Sequence, residues 1–158
     1  MPSVAASGAE GEIMSGAVSD HYNRPDLLAR IERAIGEAGR SPDTVTPDDL
    51  APIEEFHVGG RAATIALLPS LKLDADTRAL DVGCGTGGVA RFAAHRYGCK
   101  VDGVDLTANF IETGKTISSW LNLTSKVWLH RASALDMPFE ADHFGRSARL
   151  LHRRRWPW

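Results

Sequence analysis

The stretch RALDVGCGTGGVARF, residues 78–92, limits the fold more than any other part of the chain. A short apolar run, Ala79, Leu80 and Val82, leads into a turn with Gly83, Gly85 and Gly88 at the spacing G-x-G-x-x-G, and GTGGVARFAAHRYG then reads as a helix ending at Gly98. Glycines between a strand and a helix let the backbone close on a ligand at the helix N-terminus. The alternation continues downstream. KVDGVDL reads as a second strand, TANFIETGKTISSWLNL as a helix with Phe110, Ile111, Ile117 and Leu121 available for burial, and KVWLHRA as a third strand. Strand–helix repeats of this length are crossover units. They predict an α/β, Rossmann-like parallel sheet with flanking helices, here incomplete at about three strands.

Two acids restrict the ligand. Asp81 precedes the first glycine by two residues, and Asp105 ends the second strand 22 residues beyond Gly83. The glycine spacing with a later acid fits a dinucleotide site. However, a carboxylate at the mouth of the turn repels a pyrophosphate by roughly 4 kcal/mol per charge pair at 4 Å and an effective dielectric near 20. It attracts a cation instead. S-adenosylmethionine brings an amino group and a sulfonium to the turn, carries no phosphate, and offers a ribose diol to a carboxylate such as Asp105. A nicotinamide-dependent oxidoreductase is the alternative that Asp81 disfavours. The plain structural reading makes the glycines a tight turn, Asp81 a surface or capping acid and Asp105 a strand-end turn former.

ALDVGCGTGGVARFAAHRYGCKVDGVDLT resembles the first two motifs of the class I S-adenosylmethionine-dependent methyltransferases, and ASALDMPFEADHF resembles their third, so the likeness covers about residues 78–144. It implies that Asp81, Gly83, Gly85 and Thr86 line the methionine end of the cofactor, that Asp105 binds the ribose, that Leu106 flanks the adenine, and that Ser133 and Ala134 meet the adenine edge. Many relatives carry an acid at the position of Ser133, so a hydroxyl or the backbone takes that contact here. Upstream, DDLAPIEEFHVGGRAAT is similar to the entry region of small-molecule methyltransferases acting on amines such as sarcosine and dimethylglycine, in which an N-terminal helical cap covers the cofactor. That likeness makes His57 a candidate to orient substrate or act as a base, against a structural histidine. Tyr22 is a candidate lid aromatic, against a packing role. The implied function is methyl transfer from S-adenosylmethionine to a small molecule, an amine. Alignment dominates such a reaction, so no catalytic residue is singled out.

The remaining chain divides around this unit. Residues 1–18 are small and aperiodic and read as a disordered arm. Residues 19–70 read as a helical cap: a helix from Arg24 with Leu27, Leu28, Ile31, Ile35 and Ala38 on one stripe, an acidic connecting segment over 41–55 with room for one helical turn, and a short helix after Gly59-Gly60 limited by Pro69. Residues 71–144 form the cofactor-binding half, and residues 145–158 a basic tail with arginines at 146, 149, 153, 154 and 155. That tail has no buried-strand pattern where the family continues its sheet. The expectation is a C-terminally truncated chain in which one edge of the first strand lacks a partner; a non-catalytic cofactor-binding remnant is then the alternative to an active enzyme. A net charge of -2 and the lack of any apolar run near the roughly 20 residues of a membrane span give no reason to expect nucleic acid or membrane as partner. Two cysteines and no leader suggest a cytoplasmic setting. No metal site and no oligomeric state are read from the residues.

Overall fold

The computed structural model describes residues 26–54, 60–140, 143–144 and 149–151, the last three as backbone only. Three helices come first: α1 (Leu27–Glu37), α2 (Pro47–Glu54) and α3 (Gly60–Leu67), the last tightening into a single 3-10 turn at Leu68–Leu71. The alternating part follows as β1 (Arg78–Val82), α4 (Gly88–Tyr97), β2 (Lys100–Asp105), α5 (Ala108–Trp120) and β3 (Val127–Arg131), with a short β4 at Arg149–Leu151. The sheet order is β3-β2-β1-β4 and every pairing is parallel. The three expected strands form where the apolar runs placed them.

Register sorts the side chains into two unlike faces. Asp81 lies opposite Gly103, and Gly103 opposite Leu129. On that face Ala79, Val101, Val127 and Leu129 meet α4 and α5 through Ala90, Ala93 and Ile111 in one core. The valine, leucine and isoleucine side chains among these contribute about 1.5–3 kcal/mol each when fully buried. The opposite face carries Asp102, buried at 1% exposure, whose carboxylate accepts hydrogen bonds from Arg78 Nε at 2.8 Å and from His130 Nε2 at 3.0 Å. The His130 ring in turn meets Phe139 edge-on at 5.2 Å.

Of the N-terminal helices, α1 packs on α5 and α2 on α4. Ile31, Ile35, Val45 and Leu50 bury against Ile117 as a second core. The acidic segment holds more order than the single helical turn allowed for it, because Thr46, Pro47 and Asp49 form a complete start signal. Thr46 N–H donates to Asp49 Oδ2 at 2.9 Å, Asp49 N–H donates to Thr46 Oγ1 at 3.3 Å, and Pro47 occupies the first helical position. The Thr46 hydroxyl, donating to Asp49 Oδ2 at 2.7 Å, and then the Thr46 N–H lower the pKa of the Asp49 carboxyl.

The reading of the tail needs correction. It gave no strand after Phe144 and left one edge of β1 open, yet Arg149–Leu151 pairs in parallel with Leu80–Val82. An apolar central strand carries donors and acceptors that need partners. Three residues of the tail supply them, although the surrounding arginines give the segment no strand pattern.

Candidate functional site

The turn after β1 is held by β2. Gly83 N–H and Cys84 N–H both donate to Val104 O, at 2.8 and 3.0 Å, and Gly85 N–H donates to Asp105 Oδ2 at 3.0 Å. Gly87 N–H then donates to Cys84 O at 2.9 Å, and α4 starts at Gly88. The expected helix thus loses its first residues to the turn. Gly85 has φ +57°, a left-handed conformation that glycine adopts without the strain of a Cβ.

Two carboxylates face this turn from β1 and β2. Asp81 is not the surface acid of the plain structural reading. It is fully buried, and neither carboxylate oxygen has a hydrogen-bond partner. Burial pushes its pKa up to about 7, with the neighbouring Asp105 carboxylate adding to the rise. The same burial, with Asp81 next, pushes the Cys84 thiol well up. Asp105 is half-buried; besides Gly85 it accepts Thr107 N–H on Oδ1 at 2.9 Å, so each oxygen keeps a further lone pair.

The other expected site residues fall around this pair. Thr86 is buried behind the turn and Gly83 is exposed. Leu106, directly after Asp105, keeps 37% of its surface exposed. Ala132 N–H donates to Asp105 O at 3.0 Å, which brings the end of β3 and the following Ser133 and Ala134 to the same strand ends. The Ser133 hydroxyl accepts Leu135 N–H at 3.1 Å. Tyr22 and His57 lie outside the described residues. Among the described residues no group of three or more His, Cys, Asp or Glu side chains could hold a metal ion, and no helix is long and apolar enough to cross a membrane.

Three supporting residues escaped the sequence reading. Gly114 in the middle of α5 was passed over as an ordinary helix position, yet a Cβ there would collide with the Thr86 carbonyl. A glycine in mid-helix costs about 1 kcal/mol against alanine, which is the signal that a neighbour comes close. Arg91 on α4 and Glu54 on α2 form a buried ion pair beneath the turn. Nothing in the local pattern around either residue predicts it, because the pairing spans 37 positions.

A parallel sheet whose first strand turns through glycines into a helix, and whose second strand ends on a carboxylate tied to that turn, defines a Rossmann-like cofactor domain. Residues 79–149, which carry this glycine turn and sheet, match the Methyltransferase domain family. A geranyl diphosphate 2-C-methyltransferase of Saccharopolyspora erythraea is 31% identical over 152 residues, spanning 87% of this chain and 53% of that protein. The sarcosine/dimethylglycine N-methyltransferase of Halorhodospira halochloris is 30% identical over 95 residues, 59% of this chain and 33% of its own. Among solved structures, the geranyl diphosphate C-methyltransferase of Streptomyces coelicolor A3(2), bound to Mg2+, geranyl diphosphate and S-adenosyl-L-homocysteine, is similar with TM-score 0.52 and 29% identity over 56% of this chain and 33% of that one. The chain spans about half the length or less of the curated relatives it matches.

Proposed function

We propose that this chain binds S-adenosylmethionine at the turn between β1 and α4 and serves methyl transfer to a small-molecule acceptor. The observation that carries this reading is the buried Asp81 carboxylate with both oxygens unpartnered beside the turn. A cationic amino group satisfies it, and a pyrophosphate does not. The rest of the donor set fits the same ligand. Asp105 has acceptor capacity for a ribose diol, exposed Leu106 offers an apolar face to the adenine, and Ser133 and Ala134 stand at the adjoining strand end. When bound, the cofactor supplies an already activated methyl group. The residues of this chain therefore hold, orient and desolvate, and no proton-transfer group is required of them unless the acceptor arrives protonated.

The sequence pointed to an amine acceptor, and the N-methyltransferase of H. halochloris supports it. The relative from S. erythraea, named for a carbon acceptor, is matched over more of the chain. A methyl-transfer assay that sets glycine derivatives against isoprenoid diphosphates separates the two. The cofactor reading itself is tested by calorimetric titration with S-adenosylhomocysteine and with NAD. We expect saturable binding of the first and none of the second, and tight NAD binding with no response to S-adenosylhomocysteine refutes the reading.

A further inference from the structure

The Arg91 guanidinium is placed where a protein seldom puts a charge. Arg91 and Glu54 side chains are 1% and 2% exposed, and Glu54 is the last residue of α2. Arg91 Nη2 donates to Glu54 Oε1, while Nη1 donates to Thr86 O at 2.6 Å and to Gly114 O at 3.1 Å, with Ser118 Oγ at 3.4 Å. One side chain thereby joins α2, the glycine turn and α5 to α4. The Thr86–Gly87 peptide is pinned from both sides, since its carbonyl accepts from Arg91 and its N–H donates to Cys84 O.

Burying an ion pair costs desolvation of both charges, and apolar side chains of similar size often stabilise a fold as well or better. Packing alone therefore gives no reason for this pair, whereas control of the turn does. We propose that Glu54 and Arg91 are positioning residues. Glu54 aims the guanidinium, and the guanidinium fixes the plane of the Thr86–Gly87 peptide, so that docking of the N-terminal helices sets the geometry of the cofactor turn. This rests on the cofactor reading above for its consequence, but the effect on the turn stands apart from it.

The test compares the full chain with Arg91→Met, Glu54→Gln and the double variant Glu54→Leu/Arg91→Met, by thermal unfolding, by amide hydrogen exchange over residues 84–88 and by S-adenosylhomocysteine titration. Arg91→Met leaves one buried charge unpaired and unfolds at lower temperature. The double variant recovers that stability, yet its turn amides exchange about tenfold faster and it binds S-adenosylhomocysteine about tenfold more weakly than wild type, as loss of hydrogen bonds from a charged donor requires. A double variant as stable as wild type with unchanged exchange and affinity overturns the proposal. If that variant fails to fold, Glu54→Gln decides: it keeps an acceptor and loses the charge, and we expect exchange about twofold to fivefold faster, whereas unchanged exchange overturns the proposal. Should the wild type not bind S-adenosylhomocysteine, the cofactor reading fails, and exchange over 84–88 still decides the positioning role.

Discussion

Asp105 Oδ2 accepts the backbone N–H of Gly85 at 3.0 Å, so the last residue of β2 holds the middle of the turn that follows β1. The same carboxylate accepts Thr107 N–H at the start of α5. One side chain thus orders two connections at the strand ends, and its loss is felt at both.

Asp105→Ala strips a charged acceptor from both amides. We expect a loss of about 1.5–3 kcal/mol in urea unfolding and weaker S-adenosylhomocysteine binding by calorimetry. Asp105→Asn keeps an acceptor and should lose less of both. Equal stability of the alanine variant and wild type would contradict the role given to Asp105 here.

Asp81 makes stability depend on pH in a direction unusual for a carboxylate. Its pKa rises on folding from the usual 3.8 to about 7. Between those values the folded chain keeps a proton that the unfolded chain has released, so stability falls as pH rises across this window. The difference is worth on the order of 4 kcal/mol. Without ligand, Asp81→Asn should match wild type near pH 4 and exceed it above pH 7 in denaturant unfolding. A gap of the same size at both pH values would refute this origin.

Ligand binding should show the opposite slope. A cationic amino group needs Asp81 ionised, so affinity for S-adenosylhomocysteine rises with pH up to about 7, by at most about tenfold per pH unit. Binding below that pH releases a proton, which titrations in buffers of different ionisation enthalpy detect. In Asp81→Asn the affinity is lower and its pH dependence over this range is lost.

Gly114→Ala places a methyl group against the Thr86 carbonyl. Although alanine favours a helix, we expect a net loss of about 1–3 kcal/mol from overpacking, read as a lowered thermal midpoint. A stabilised variant would mean that α5 stands further from the turn than described.

Local pattern made the alternating half legible. Apolar runs and glycine punctuation placed β1, β2, β3 and both helices, and the turn and Asp105 fell together as the spacing implied. What escaped was non-local. Burial of Asp81 follows from the register that sets it opposite Gly103 under α4 and α5, which no five-residue run contains. The Glu54–Arg91 pair and the close approach of Gly114 to Thr86 likewise depend on how distant elements dock. Strand β4 was missed because backbone pairing, rather than an apolar pattern, marks it. By contrast, Thr46, Pro47 and Asp49 carried a readable helix start that the acidic composition of the segment obscured.

Three amides of the glycine turn are anchored on one neighbouring strand: the Val104 carbonyl takes two of them and the Asp105 side chain the third. Displacement of these three amides is therefore tied to β2, while Arg91 on α4 holds the Thr86 carbonyl further along. A crosslink or label on β2 would report motion of the turn, and stiffening that strand would quieten it without touching a single glycine.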